Sequence, residues 1–337
     1  MRLFCGFNAR GGVALSWFCR GSVVVLSWCC RGTIICVIVP VARSENVPGF
    51  SLIMPRLTIR AYAKLNLVLE ILGRRADGFH RLETVFQTIG LHDVIDLTHE
   101  SNGVGISLFC DDQSIPCDSS NLAWRAAAAF IGHRESDAGH LSIRLQKGIP
   151  HGAGLGGGSS DAAAVLCGLN RLLPNWHNVE DLHRLACALG SDVPFFLVGG
   201  TAVGEERGEV LTPLADVLPL RVTVLMPPGR LPTPAVFTAL TEAERGPRQG
   251  RGAAWWSARL SEGAWPSSLL SNRLTDPAVR LCPAVGELLA HLHRLGLPYL
   301  MSGSGAACFV LGHVDPPAGV TAWHTTFVTR EQARSLS

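Results

Sequence analysis

Between Pro150 and Asp161 the chain reads Pro-His-Gly-Ala-Gly-Leu-Gly-Gly-Gly-Ser-Ser-Asp, and no other stretch of its 337 residues constrains the fold as tightly. Five of the seven residues from Gly152 to Gly158 are glycine. Glycine lets backbone amides approach a ligand closely and take up positive φ. A strand is predicted over Leu141 to Leu145 before the loop, and a helix over Asp161 to Leu173 after it. Ser159 or Ser160 is placed to cap that helix, whose positive dipole end faces the loop. Together these features make a site for phosphate. Two better-known glycine motifs compete. The loop lacks the Gly-Lys-Ser/Thr ending of a P-loop. Gly152, Gly154 and Gly157 do satisfy Gly-x-Gly-x-x-Gly, with Glu180 and Asp181 downstream, but the motif follows Lys147-Gly-Ile-Pro150 instead of an apolar parallel strand. A turn that binds nothing rarely needs so many flexible residues.

The surrounding pattern is mixed. From Leu57 to Glu70 apolar and polar residues alternate, as in a strand with one buried face. Asp77-Gly78 marks a turn. Shorter strands are predicted at Val94 to Leu97 and Ile106 to Cys110. Helices are predicted at Leu122 to Ile131, at Val179 to Leu189 with Gly190 as its stop, and at Pro283 to Leu295 with Gly296 as its stop. Tyr299 to Leu311 reads as strand, glycine turn, strand. Strands and helices interleave without a βαβ rhythm, so the expected fold class is α+β. Pro227, Pro228, Pro232 and Pro234 mark a change of region, and Gly246 to Gly252 reads as an exposed loop. The length suits two domains, expected at 54–212 and 213–337.

Composition narrows the class of function. With 47% hydrophobic and 17% charged residues the chain is globular. A net charge of +2 with dispersed Lys and Arg gives no polyanion-binding face, which argues against nucleic acid as a partner and for a local anion site. None of the eleven cysteines forms a Cys-x-x-Cys pair or sits beside a His at zinc-finger spacing, so reduced thiols of a cytoplasmic enzyme are expected. Residues 1–53 differ from the rest: they hold five of the cysteines and no acidic residue before Glu45. Leu-Ser-Trp-x-Cys-Arg-Gly occurs there twice, from Leu15 and from Leu26. Arg20 and Arg31 cut the apolar runs below the roughly 20 residues of a membrane helix. We expect this extension to lie outside the fold, with translation starting at Met54.

Pro150 to Ala164 closely resembles the second signature of the GHMP kinases, which cradle ATP phosphates without a P-loop. Two more motifs agree in the expected order. Ala63-Lys-Leu-Asn-Leu67 with Asp77-Gly-Phe-His80 is similar to the first motif of the diphosphocytidyl-methylerythritol kinases, and Met301-Ser-Gly-Ser-Gly-Ala306 is similar to the third. The resemblance implies the two-domain GHMP kinase fold, with an N-terminal domain like domain 2 of ribosomal protein S5 and a ferredoxin-like C-terminal domain. It also implies an ATP-dependent kinase acting on the 2-hydroxyl of 4-diphosphocytidyl-2-C-methyl-D-erythritol. The alternatives are a GHMP kinase for mevalonate, homoserine or a sugar, and an inactive ligand sensor of the same fold.

Roles follow by position. Lys64 lies in an otherwise apolar strand, where burial of a lysine is expensive without a partner, and Asp192 follows the helix stop at Gly190. Patterning alone would leave the first facing solvent and the second in a turn. The resemblance makes them the catalytic pair, the aspartate orienting or deprotonating the hydroxyl and the lysine stabilising charge. Lys147, Pro150, Gly152, Gly154, Leu155, Gly156, Gly157, Gly158, Ser159 and Ser160 match nucleotide-binding positions, and Ser160 is an implied ligand of Mg²⁺. Asn66 matches a residue that bonds the polyol. His80 matches a residue that reads the cytidine base, between stacking aromatics at Phe79 and Phe237; relatives often have Tyr at the first. The acceptor would thus be a small molecule with a cytidine diphosphate moiety. Asn272 is followed by Arg273 where relatives commonly have an acidic residue, and the turn Gly303-Ser-Gly305 is expected against the active site.

Overall fold

The computed structural model describes residues 23–30, 33–40, 55–132, 139–174, 176–217, 219–245, 250–260 and 267–334. By contact the chain divides into two compact units, Met1–Ile53 and Met54–Ser337. In the first, β1 (Val23–Cys30) and β2 (Thr33–Pro40) form an antiparallel hairpin in which Cys30 lies opposite Thr33. Met54, the expected start of translation, and residues 246–249 of the expected loop fall outside the described residues.

The second unit is organised by two long strands. β3 (Arg56–Arg74) and β4 (His80–Glu100) pair along their whole length, joined by the turn at Asp77-Gly78. β4 then changes neighbour along its other edge. Its first half, up to Gln87, pairs with β7 (Thr201–Glu206), and its second half, from Val94, pairs with β6 (His140–Gln146). Between those ladders the register with β3 also shifts, at Tyr62/Ala63. The sheet is completed by β5 (Gly105–Cys110), β8 (Val210–Pro213) and β10 (Ser271–Asn272), giving seven strands among the described residues. A second, four-stranded antiparallel sheet has the order β11 (Tyr299–Met301), β12 (Cys308–Leu311), β9 (Arg221–Met226), β13 (Thr321–Thr326). The architecture is α+β, as expected.

The alternation read over Leu57 to Glu70 holds only for the first part of β3. From Ala63 to Leu69 seven consecutive residues are buried, so the strand is covered on both faces there. One strand serves three cores. Ile59 and Ala61 pack with the helices Leu122–Ile131 and Gly157–Leu172, while Ala63, Leu65 and Leu67 pack with Val222, Val224, Trp256 and Phe309. Leu69 and Ile71 join the cluster of the helix Pro283–Arg294. A polar side chain in the doubly covered stretch must find partners within the protein, as the buried Lys64 and Asn66 do. Among the described residues no helix is long and apolar enough to cross a membrane.

Candidate active site

The glycine loop is built by alternation. Ala153 and Leu155 are buried anchors, whereas Gly152, Gly154 and Gly156 between them take positive φ of 69°, 75° and 75°. Two of these glycines are required for space as well as angle. A Cβ on Gly154 would lie 2.3 Å from the Ser302 carbonyl oxygen, and one on Gly156 would lie 2.7 Å from the Phe196 ring and 3.2 Å from Lys64 Cγ. The helix Gly157–Leu172 begins four residues earlier than predicted, with Gly156 as its N-cap and no side-chain cap. Its first closing bond runs from the Ser160 amide to the Gly156 carbonyl at 2.8 Å, so the amides of Gly157, Gly158 and Ser159 have no acceptor within the helix. The first turn carries no acidic residue, which leaves its partial positive charge available to an anion.

Neither serine caps the helix. Ser160 donates its hydroxyl proton to the Tyr62 carbonyl at 2.6 Å and is 2% exposed, which ties the helix to β3. The hydroxyl proton is thereby committed to β3, so only the oxygen's lone pairs could meet a metal ion. Among the described residues no group of three or more His, Cys, Asp or Glu is placed to hold a metal ion.

Lys64 enters the site from β3, directly against the loop. Its backbone amide donates to the Leu155 carbonyl at 3.0 Å, so loop and strand are pinned at this residue. Its ammonium, 3% exposed, lies 3.5 Å from Asp192 Oδ2, donates to Asn66 Oδ1 and stands 5.6 Å from the centre of the Phe86 ring. Burial pulls the Lys64 pKa below its ordinary value, and the Asp192 carboxylate opposes that pull without cancelling it. Such an ammonium with no countercharge would cost several kcal/mol, so the pair is held by necessity. Asp192 is the N-cap residue of the short helix Val193–Val198, but its side chain makes no capping bond. The carboxylate is therefore free to face Lys64, with about a third of its surface open. Gly190 follows the helix Val179–Leu189 as the predicted stop, but with an extended φ of 174° that needs no glycine.

Asn66 is more constrained than expected. Its Oδ1 accepts from Lys64, and its Nδ2 donates to Thr84 Oγ1 at 2.7 Å, which in turn donates to the Val68 carbonyl at 2.7 Å. The turn Gly303-Ser-Gly305 lies on the glycine loop, as expected: Ser302 Oγ donates to the Gly154 carbonyl at 3.2 Å, and the Ala307 amide donates to the Ala153 carbonyl at 3.2 Å. Asn272 holds that turn, its Nδ2 donating to the carbonyls of Met301 and Gly303, both at 2.8 Å. Arg273 pairs with Glu70 at 3.1 Å, which gives the departure from the family pattern a local structural use.

The Lys147 side chain is only 9% exposed. Its ammonium lies between two carboxylates, bonded to Asp93 Oδ2 and 2.7 Å from Asp161 Oδ2. Burial works against the charged lysine, but the two carboxylates outweigh it and raise its pKa. Burial likewise raises the Asp161 carboxyl, to about 7, against the pull of Lys147.

At the far end of β3 and β4, His80 stacks on Phe237 with ring centres 5.2 Å apart. Burial lowers the His80 pKa, helped by Arg245 and Arg74, which favours the neutral ring. Its Nε2 is buried without a hydrogen-bond partner. Phe79 is 53% exposed, and the Arg207 guanidinium lies 5.0 Å from its ring centre. Sequence reasoning missed Asp93, Asp161, Thr84 and Ser302 as members of this region. Asp161 and Ser302 stand inside two of the quoted motifs without a role of their own, and Asp93 shows only as a charge just before the predicted strand Val94 to Leu97.

A GHMP kinase N-terminal domain matches residues 121–200 and a GHMP kinase C-terminal domain matches residues 256–328. The chain belongs to the GHMP kinase family. Within it, a relative from Desulfotalea psychrophila is 40% identical over 258 residues, covering 75% of this chain and 85% of its own, and one from Pelotomaculum thermopropionicum is 39% identical over 256 residues, covering 76% and 88%. Both are named 4-diphosphocytidyl-2-C-methyl-D-erythritol kinase. A crystal structure of 4-(cytidine 5'-diphospho)-2C-methyl-D-erythritol kinase superposes with a TM-score of 0.66 at 38% identity, over 80% of this chain and 99% of that one.

Proposed function

We propose that this chain transfers the γ-phosphoryl group of ATP to the 2-hydroxyl of 4-diphosphocytidyl-2-C-methyl-D-erythritol, a step of the non-mevalonate route to isoprenoid precursors. The observation that carries the reading is the junction at Lys64. One residue pins the glycine loop through its backbone and faces Asp192 through its ammonium. Phosphoryl transfer asks a protein chiefly to align an acceptor oxygen and to stabilise charge on the migrating group. The amides of Gly157, Gly158 and Ser159 receive the phosphates, Asp192 orients the alcohol, and Lys64 lies between the two. Asn66 acts here mainly by aiming Lys64, since its Oδ1 already accepts from that ammonium. Mg²⁺ arriving with the nucleotide would offset charge on the phosphates, and no step is routed through it.

The acceptor's base is assigned to the His80 end. A neutral imidazole with an unpartnered buried Nε2 suits a hydrogen bond to a base edge, and Phe237 beneath it offers a stacking face. The nucleotide-binding part is taken as 54–212 and the remainder as 213–337, in a cytoplasmic enzyme. The test is transfer of isotopically labelled phosphate from ATP to a panel of acceptors. The reading expects label in the cytidine compound; label confined to mevalonate, homoserine or a sugar would overturn the substrate, and no transfer to any acceptor would overturn the kinase.

A further inference from the structure

Behind the glycine loop lies a group of charges used by neither the catalytic pair nor the base end. Asp93 is fully buried on β4, just before that strand takes up β6 as its neighbour. Its Oδ1 accepts from the Gly148 amide at 2.7 Å and the Ile149 amide at 2.8 Å, and its Oδ2 takes the Lys147 ammonium. These three residues lead straight into Pro150. Lys147 also bonds Asp161, fourteen positions on in sequence and in the second turn of the helix beyond the loop. A Cβ on Gly157 would lie 3.6 Å from Asp93 Oδ2, so the cluster sits under the first residue of that helix. The two ends of the loop are thereby tied to each other and to the sheet.

We propose that Asp93 and Asp161, acting through Lys147, are positioning residues for the nucleotide: the triad sets the spacing of the loop's two ends and so aims its amides at the phosphates. This rests on the reading that the loop holds ATP. The Lys147 ammonium is already engaged by two carboxylates, so its effect on the nucleotide passes through the loop instead of through direct contact. Asp93 and Asp161 are buried and the Lys147 side chain is 9% exposed, so removing the ammonium would leave two buried carboxyl groups without their shared partner, which favours a single geometry for the group.

A double-mutant cycle on the full chain tests this, with Asp93→Asn, Lys147→Met and the pair, measuring kcat and KM for both substrates and Kd for ADP. Each single variant is expected to raise KM for ATP and Kd for ADP by roughly tenfold or more, with KM for the cytidine acceptor within about twofold of wild type. The double variant should be no worse than either single, and Lys147→Arg should recover part of the loss. A Lys147→Met effect without an Asp93→Asn effect would overturn the proposal in favour of direct contact. Equal rises in both KM values would overturn it in favour of general loosening. If Asp93→Asn does not fold, Asp161→Asn takes its place in the cycle under the same criteria. Wild-type protein that binds no ADP would instead overturn the reading of the loop itself.

Discussion

At the chemical end of the site Lys64 is almost wholly buried and is met by Asp192, Asn66 and Phe86, while its backbone holds the glycine loop. At the base end Phe79 is half exposed, and its ring meets a guanidinium from the β7–β8 turn. The first region is braced by bonds between residues far apart in sequence, such as Asn66 with Ser302, and Asn272 with Gly303. The second rests on contacts between rings and a guanidinium, with Phe79 open to solvent. Electrostatic work on a migrating phosphoryl needs groups fixed before the reaction, whereas recognition of a flat base tolerates side chains that settle around it.

The sharpest way to break that contrast is Asp192→Asn. Loss of the carboxylate should lower kcat on the order of 10²- to 10⁴-fold while ADP binding stays near wild type, read by ADP release and by calorimetry. A near-normal rate would remove the braced pair from the chemistry. Next in size is Gly154→Ala, which must accommodate both a positive φ and a Cβ 2.3 Å from the Ser302 carbonyl. We expect a stability loss of about 2–4 kcal/mol in denaturant unfolding, together with weaker nucleotide binding. Gly152→Ala meets the angle alone, since nothing lies within 4 Å of its Cβ, and should cost less.

Phe237→Ala sharpens the other side of the comparison. A stacked ring contributes about 0.5–1.5 kcal/mol beyond its buried area, so KM for the cytidine acceptor should rise by roughly tenfold with KM for ATP unchanged. If both constants rose together, the two ends would not be separable. The last test is the pH dependence of stability. The folded Asp161 carboxyl is raised to about 7 from an ordinary 3.8. Its favourable contribution is therefore full below the ordinary value and is lost as pH rises through about 7, because the native state keeps a proton that the unfolded chain has released. Asp161→Asn should flatten Tm against pH between those two values, and an unchanged slope would remove burial of the carboxylate as its cause.

Much of this was legible along the chain. The helix Leu122–Ile131 has the limits its alanine-rich spacing predicts, and the glycine loop declares itself because its glycines are local requirements of backbone angle. The start of the following helix was misplaced because Ser159 and Ser160 are common caps, while here a left-handed Gly156 does that job. His80 and Phe237, far apart in sequence, could be paired only through a family resemblance.

What the sequence determined by itself is the part that depends on near neighbours: the α+β pattern, the loop, and the presence of a lysine where a strand is otherwise apolar. Tertiary structure alone decided which charges meet. Lys64 and Lys147 look alike in sequence as lone cations near apolar runs, yet one faces Asp192 and the other is locked between Asp93 and Asp161. A side chain's charge partner is set by which strands and helices cross above it, and that crossing depends on packing across the whole unit, which no local pattern encodes.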